Sequence, residues 1–391
     1  MALSDTPYTQ APQSQKRLQK STERSTAWLA HLLQHPNAES SDVLTGRPSV
    51  LVNLVGGSDK RARMAFAESL VEVLHGKEQE SISPLRTLDE GVVGYQVEIP
   101  PLRSVLKAER TEDLSRSAQD AFNESEELFS LMRASLEPLP ATKLRISYGA
   151  TFPHEILGLI SDVGVDLFDS HWAQKAADIG IALDFIFPAP GSGTSQRYFC
   201  PPPKSRSSSV VDIGHNLFNF DYANDHSRLA SSFLDNDSNV GRPSDPEVKP
   251  PPCACGACSP KPPSTTLLYD QVTQQPDRSI PSLPPYTRSY IHHLLHTHEM
   301  SSHTLLAIHN LSVLDAFFSG IREVIDKSKA DPDVFTREVQ RFSATYADPR
   351  ELFSEAQRDW ARVEYERGKG RLARERQREG ESKDQGAVDL Q

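Results

Sequence analysis

Apolar residues in the first half of the chain alternate between short continuous runs and positions spaced three or four apart. Short apolar runs, the first of them β-branched, predict strands over 49–55, 91–99, 143–148 and 164–169. Helical spacing predicts helices over 16–35, 61–75, 121–136 and 152–160. This alternation favours parallel strands with helical crossovers, either in an open sheet or in a barrel. A strand that ends in a polar residue, as at Asp169, is typical of a barrel, so we expect an α/β protein with a TIM-type (β/α) barrel.

The pattern changes at Pro188. Ser, Pro, Gly, Asn and Asp dominate up to about residue 252, which predicts exposed loop around a short strand or two within 213–222. A second Pro-rich loop is predicted over 259–285. Residues 290–325 then carry the strongest helical pattern of the chain, with apolar side chains at three- and four-residue steps. Charges become dense after residue 348, which predicts a disordered tail.

Composition narrows the possible functions. The net charge is −11 and 37% of residues are hydrophobic, and this acidic excess argues against a protein that binds nucleic acid strongly on its own. No run of about 18 apolar residues occurs, so no membrane span is predicted. The first residues lack the basic and apolar segments of a signal peptide. Three of the four cysteines lie close together, which favours a metal site in a reducing compartment, with the cytoplasm as the expected location.

The chemistry that stands out is the sequence Cys-Ala-Cys-Gly-Ala-Cys, which places Cys253, Cys255 and Cys258 on one turn. Zinc takes four soft or borderline ligands in a tetrahedron, so three thiolates need one further donor. The downstream helical region offers six histidines, and spacing does not choose among them: His292, His293, His296, His298, His303 and His309. The alternative is three incidental thiols in a loop, where they would be open to oxidation. Four protein ligands leave no position for water, so a structural zinc is favoured over a catalytic one.

The order of these motifs resembles the tRNA-guanine transglycosylase family. There a Tyr-Ile-His-His-Leu helix, here at 290–294, follows a Cys-x-Cys-x-x-Cys turn, and the zinc histidine precedes an asparagine. The resemblance therefore implies His309 as the fourth ligand of one structural zinc per subunit. The strand at 164–169 resembles the one that carries the family's nucleophile, which would be Asp169. Residues 2–5 resemble the segment with the substrate-binding aspartate, which would be Asp5.

The chain departs from catalytic members of that family in three places. One is Gly56-Gly57, which stands where those members read the base with a Gln-Gly pair. His-Trp-Ala-Gln-Lys at 171–175 stands where those members hold tRNA through a Pro-Thr-Arg segment. Glu98-Ile-Pro stands where they have a glycine-rich loop that approaches the base, and proline removes that backbone freedom. These departures resemble the family's eukaryotic accessory subunit, so no catalytic residue is expected.

The resemblance implies the following function. The chain would be the non-catalytic subunit of a heterodimeric queuine tRNA-ribosyltransferase, supporting exchange of guanine 34 by queuine in tRNAs with GUN anticodons, the queuosine modification. Its partner would be the catalytic subunit, bound through the zinc subdomain, with tRNA bound through the complex. Surplus apolar residues of the 303–325 helix, around Phe317, Phe318 and Ile321, could form the partner face, but most of them are expected to pack inside the protein instead. The resemblance also implies peripheral association with the mitochondrial outer membrane.

Two alternatives from other classes remain open. One is an active transglycosylase in which Asp169 attacks the ribose and forms a covalent intermediate; a carboxylate at a strand end is also a common helix cap. The other is a zinc-stabilised scaffold or nucleic-acid module, which should show a clear basic patch. The mixed Arg and Glu residues at 369–378 do not form one.

These predictions divide the chain into four parts. They are a barrel-like β/α segment at 1–188, a Ser/Pro-rich insertion at 189–252, a zinc-binding helical subdomain at 253–348 and a charged, disordered tail at 349–391. The resembling family begins its barrel well before the segment matched by residues 2–5. We therefore expect the barrel to be incomplete at the N-terminus, through a truncated gene model or a shortened paralogue.

Overall fold

The computed structural model describes residues 2–5, 14–34, 49–109, 118–190, 210–230, 253, 255–260 and 284–368. They belong to two compact units, Met1–Trp172 and Ala173–Gln391. The sequence placed the first boundary at 188, whereas the structure places it 16 residues earlier. The reason is that the strand at 181–183 bonds to elements of the second unit, as described below.

The first unit contains a four-stranded parallel sheet in the order β1-β2-β3-β4. All four predicted strands are present and each is shorter than predicted: β1 Val50–Asn53, β2 Val92–Glu98, β3 Leu144–Tyr148 and β4 Leu167–Phe168. The helices of this unit are α1 Gln15–Leu33, α2 Lys60–Val71, α3 Lys77–Ile82, α4 Ile99–Glu109, α5 Ala118–Leu136 and α6 Pro153–Gly158. A π-helical turn, Leu159–Val163, continues α6. The predicted strand–helix alternation is confirmed.

The two faces of this sheet differ in what covers them. Val52, Tyr95 and Ser147 point to one face and are buried, because side chains alternate along a strand and helices pack on that side. On the other face Leu144 and Leu167 each remain 47% exposed. This second face is therefore partly uncovered at β3 and β4, whereas Asn53 and Gln96 are buried on it at β1 and β2. No closure into a barrel occurs among the described residues.

Among its described residues, the second unit combines two short strands with five helices. β5 Ile181–Leu183 and β6 Gly214–Asn216 are antiparallel. Helix α7 His171–Asp178 precedes β5, and α8 Arg288–His296, α9 Ser301–Ser328, α10 Asp333–Thr345 and a last helix, α11, at 350–368 follow. The helical pattern predicted as one stretch is divided between α8 and α9, since His298 adopts a positive φ of 58° that ends the first helix.

Aromatic packing fixes α9 and α10 against the segment after β5. Phe185 and Phe317 meet edge to face at 5.4 Å, and Phe342 joins both rings. Helix α9 approaches this segment so closely that a Cβ on Gly320 would lie 1.8 Å from the Phe187 carbonyl oxygen. Phe317 and Ile321 are buried inside the unit. The expectation that most of these residues pack inside the protein is confirmed for Phe317 and Ile321, and neither side chain is available for a partner face.

Helix α11 corrects the predicted tail. Residues 350–368 are helical, and Leu352, Ala356 and Val363 are buried on one side of the helix. The Asp359 carboxylate accepts a hydrogen bond of 2.8 Å from the Asn216 side chain on β6. The predicted disorder from 349 is therefore wrong over 350–368, since a stripe of apolar residues anchors this charged helix. The predicted tail after residue 368 lies outside the described residues, as does most of the predicted insertion and loop outside 210–230.

One described helix has the length and apolar character needed to cross a membrane. It is α9, and 44% of its most apolar window is buried in the unit. Core helices of water-soluble proteins pass the same test, so this finding is weak evidence for a membrane span.

Candidate metal centre

The turn at 253–258 and helix α9 bring four metal-binding side chains together. The Cys253, Cys255, Cys258 and His309 ligand atoms all lie within 4.8 Å of one another, and all four residues are buried. The His309 Nδ1 atom lies 3.7 Å from the sulfurs of Cys253 and Cys255 and 3.3 Å from that of Cys258. The group could hold a metal ion.

These distances fit tetrahedral coordination. Metal bonds of about 2.3 Å to sulfur and about 2.0 Å to nitrogen would place the nitrogen and each sulfur about 3.5 Å apart. The three observed distances, 3.3 to 3.7 Å, lie on both sides of that value. The donor set therefore matches a four-coordinate ion in both chemistry and size.

The turn that carries the cysteines is held by its own hydrogen bonds. The Cys258 N–H donates to the Cys255 sulfur at 3.2 Å, and the Ser259 hydroxyl donates to the Cys253 carbonyl at 3.0 Å. The Tyr286 N–H, just before α8, donates to the Ala257 carbonyl at 3.0 Å. These bonds orient the three sulfurs toward α9 and tie the turn to the start of α8.

The imidazole of His309 is oriented from its far side. Its Nε2 atom lies 2.8 Å from the carbonyl oxygen of Leu183 on β5, so that Nε2 carries a proton and Nδ1 faces the three sulfurs. A backbone carbonyl that fixes the tautomer in this way is the usual outer partner of a metal-binding histidine. The strand therefore takes part in building the site.

The ionisable side chains of this group have pKa values shifted in different directions. Hydrogen bonds from the thiols of Cys253 and Cys258 hold the pKa of Cys255 well below its usual range. The pKa of Cys258 is raised, because its proton is shared with Cys253 and Cys255 and because it is buried. Burial opposes charge on His309, but hydrogen bonds to Cys253 and Cys255 outweigh it and raise the pKa to about 9. A metal ion would therefore have to displace protons from this group, and acid would weaken its binding.

The other candidate histidines have different partners. His292 Nδ1 lies 2.9 Å from the Leu217 carbonyl, and His296 Nε2 lies 3.1 Å from the Phe218 carbonyl. His303 Nδ1 lies 3.4 Å from the Ala177 carbonyl. Among the described residues, the structure thus places His309 alone of the six with the three cysteines.

Asp169 lies at the end of β4, as the sequence predicts, and both of its oxygens accept backbone hydrogen bonds. Oδ2 accepts from the Gly149 N–H at 2.6 Å, and Oδ1 accepts from the N–H of His171, the first residue of α7, at 3.0 Å. These are the bonds of a helix-capping carboxylate. Its role as a nucleophile remains a prediction.

Asp5 is held by helix α1. Its carboxylate pairs with Arg24 at 3.0 Å, and its backbone N–H donates to the Ser25 hydroxyl at 2.9 Å. The Ser21 hydroxyl donates to its carbonyl. The contacts described for Asp5 and for Asp169 have no partner in common.

Sequence reasoning missed a buried polar cluster in the second unit. His215 on β6 bonds to Asp184 at 2.7 Å and to the Tyr222 hydroxyl at 3.0 Å, and Arg288 bonds to Asp225 at 3.2 Å. The Arg288 guanidinium also lies 2.9 Å from His215 Nε2. The members are far apart in the chain, so no local spacing could have revealed them.

Comparison with known proteins assigns a family to the part of the chain that carries the metal-binding group. The family model described as queuine tRNA-ribosyltransferase matches residues 117–346, which is more than half of the chain and includes all four candidate ligands. An accessory subunit 2 of queuine tRNA-ribosyltransferase from Caenorhabditis elegans is 26% identical over 317 residues, covering 81% of this chain and 57% of the relative.

Two other relatives carry the same printed name. The one from Homo sapiens is 26% identical over 208 residues, covering 51% of this chain and 40% of the relative. The one from Schizosaccharomyces pombe is 26% identical over 182 residues, covering 46% of this chain and 28% of the relative. The chain spans about half the length, or less, of these curated relatives. Because the family model covers most of its length together with the metal-binding group, the chain belongs to the queuine tRNA-ribosyltransferase family.

Proposed function

We propose that this protein is a non-catalytic accessory subunit of queuine tRNA-ribosyltransferase. In a heterodimer with a catalytic subunit it would support exchange of guanine 34 by queuine in tRNAs with GUN anticodons. Family membership and the names of the relatives support this proposal. The whole activity is a proposal because the chain spans only about half the length of those relatives.

The observation that carries the non-catalytic assignment is the connection between β2 and α4. The strand ends at Glu98 and the helix begins at the next residue, Ile99, with Pro100 in its first turn. Pro100 packs so closely on Gly149 that a Cβ there would lie 2.5 Å from the proline ring. The same Gly149 donates its N–H to Asp169. A rigid proline thus packs against the residue that caps Asp169, where the resembling catalytic proteins have a glycine-rich loop that approaches the base.

We propose that the metal is zinc, one per chain, and that its role is structural. Thiolates are soft ligands that favour zinc over hard cations, and three of them with one imidazole complete a tetrahedron. All four ligands are buried, which supports a site without a water ligand. The metal would join the cysteine turn to α9 and so stabilise the second unit.

We propose that the parallel sheet of the first unit is part of a TIM-type barrel that is completed by strands other than its four described ones. The exposed Leu144 and Leu167 support this, since an apolar sheet face is normally covered. The greater length of the relatives supports it as well. The chain alone should bind a hydrophobic dye, and the Leu144→Lys, Leu167→Lys double variant should bind less. Equal dye binding by the variant would contradict the proposal.

We propose that the partner surface lies on the metal-binding unit beside the cysteine turn. Tyr286 and Tyr290 stack at 5.5 Å, and Tyr290 is 44% exposed. The Tyr286 backbone bonds directly to the turn at Ala257. Exposed aromatic side chains next to a rigid turn are typical of binding surfaces, and the metal would hold this surface in place.

The test is an activity assay on co-expressed subunits from the same source. Queuine incorporation into tRNA is measured for each subunit alone and for the mixture. We expect activity only in the mixture, retained with Asp169→Ala in this chain and lost with Cys255→Ser. Tyr290→Ala should weaken complex formation, and Tyr365→Ala, which changes another exposed aromatic residue, should not. Activity from this chain alone that Asp169→Ala abolishes would instead establish an active enzyme.

We propose the cytoplasm as the location, with peripheral association at the mitochondrial outer membrane. The three clustered thiols suit a reducing compartment, and the membrane association follows from the family resemblance only. Cell fractionation tests both parts. Recovery in an oxidising, secreted fraction would contradict the first part, and absence from a washed mitochondrial fraction would contradict the second.

A further inference from the structure

The side chain that follows the metal-binding histidine along α9 is fully buried and makes three hydrogen bonds. Asn310 Oδ1 accepts from the Leu183 N–H at 2.9 Å. Asn310 Nδ2 donates to the carbonyl oxygens of Ile181 at 2.9 Å and Ala173 at 3.2 Å. The neighbours fix the orientation of the amide, because only its oxygen can accept from an N–H and only its nitrogen can donate to carbonyls.

This pattern makes Asn310 a substitute for a neighbouring strand. One edge of β5 pairs with β6, and the carbonyl of Ile181 and the N–H of Leu183 point away from β6 on the other edge. A strand beside that edge would offer one N–H and one carbonyl at this spacing. The amide of Asn310 offers the same two groups, so it holds β5 against α9 at one fixed position.

The hydrogen bonds of Asn310 hold β5 in the position from which it orients His309. Leu183 gives its N–H to Asn310 and its carbonyl oxygen to His309 Nε2 at 2.8 Å. Two consecutive residues of α9 therefore hold the same residue of β5, one through each of its backbone polar groups. If β5 moved, the Leu183 carbonyl would no longer select the Nε2-protonated tautomer, and Nδ1 would lose its orientation toward the sulfurs.

We propose that Asn310 is a positioning residue for the metal centre, acting through β5 on the tautomer and orientation of His309. Replacing Asn310 should therefore weaken metal binding more than the loss of its packing contacts alone would. Outer partners of metal-binding histidines commonly change metal affinity by about 10- to 100-fold when removed. The inference rests on the zinc centre proposed above.

The experiment measures zinc release from the full chain to a colorimetric chelator, with thermal unfolding recorded in parallel. The wild-type protein must first show one tightly held zinc, and failure at this stage would contradict the zinc proposal rather than the role of Asn310. Asn310→Ala should then release zinc about 10-fold faster or more. The matched control is Val313→Ala, which also shortens a fully buried side chain of α9 but keeps the hydrogen bonds between Asn310 and β5. This variant should release zinc at close to the wild-type rate.

A second variant covers the case in which Asn310→Ala does not fold. Asn310→Asp has the same shape and keeps an acceptor for the Leu183 N–H, but it turns an oxygen toward the Ile181 and Ala173 carbonyls. It should also release zinc faster than wild type. With Co²⁺ in place of zinc, the visible absorption of the tetrahedral ion should change in the Asn310 variants and not in Val313→Ala. Unchanged zinc release and unchanged Co²⁺ absorption, together with lowered thermal stability, would overturn the proposal and leave Asn310 a packing residue.

Discussion

At the scale of single residues, the cysteines of the metal site were predictable and their surroundings were not. Three thiols within one turn are a local pattern that the sequence displays directly. The choice of His309 among six histidines required a family resemblance, because spacing carries no information about which side chain returns to the turn. The Leu183 carbonyl is 126 residues from His309, and a backbone group has no signature in sequence. The backbone group that orients the metal-binding histidine could therefore not be predicted from the sequence.

The buried cluster around His215 makes a pH prediction at the same scale. Burial lowers the pKa of His215, although its hydrogen bond to Asp184 acts in the other direction. The unfolded chain takes up this proton near pH 6.5 and the folded protein only at lower pH. Protonation below about pH 6.5 therefore favours unfolding, so stability is greatest above that pH and falls as pH drops, with a slope of up to about 1.4 kcal/mol per pH unit.

Urea unfolding of wild type and His215→Gln at pH 7.5 and 5.5 measures this contribution. The variant should be less stable at pH 7.5 because it disturbs the bonds to Asp184 and Tyr222, yet it should lose less stability on acidification. His226→Gln, at an exposed histidine, controls for general effects of acid, including metal release. An identical pH dependence in His215→Gln and wild type would show that His215 does not contribute.

At the scale of elements, the strands were predicted well and the last helix was not. Each strand of the parallel sheet lies within a short apolar run that local pattern identifies, although only β1 and β2 are rich in β-branched residues. In α11 the apolar residues Leu352, Ala356 and Val363 recur at helical steps, but the surrounding charges concealed this stripe. Charge density marks exposure of a face and does not exclude burial of the opposite one.

Val363 provides the test of α11. It packs in the same apolar cluster as the three cysteines, so Val363→Asp should lower the free energy of unfolding by roughly 2–4 kcal/mol and speed metal loss. Tyr365→Asp, at a side chain that is 66% exposed, should change stability by less than about 0.5 kcal/mol. Chemical denaturation with a zinc assay measures both, and similar small effects would show that α11 is dispensable.

The close approach of α9 to the segment after β5 gives a second prediction for an element. A methyl group at Gly320 would overlap the Phe187 carbonyl, which is backbone and cannot turn aside. Gly320→Ala should therefore cost about 3 kcal/mol or more, despite the better helix propensity of alanine. Gly368→Ala is the matched control, since nothing lies within 4 Å of its added methyl, and thermal unfolding should show no loss there. A neutral Gly320→Ala would mean that α9 can shift without penalty.

At the scale of the whole molecule, the metal should stabilise one unit only. All four ligands lie in the second unit, and binding to the folded state alone stabilises that state. Removing the metal with a chelator should increase hydrogen exchange in β5, β6, α8 and α9. Exchange in β1 to β4 should change little. Equal loss of protection in both units would show that they unfold together.

The separation of the ligands along the chain has a consequence for how sequences of this family can vary. Cys258 and His309 are 51 residues apart, and a metal ion bound by both would cross-link the chain and close a loop between them. The entropy of closing such a loop grows only with the logarithm of its length, so doubling the intervening segment would cost only about 0.6 kcal/mol. Lengthening the chain between the cysteine turn and α8 should therefore cost little folding free energy, so the metal centre tolerates relatives of different length in that segment.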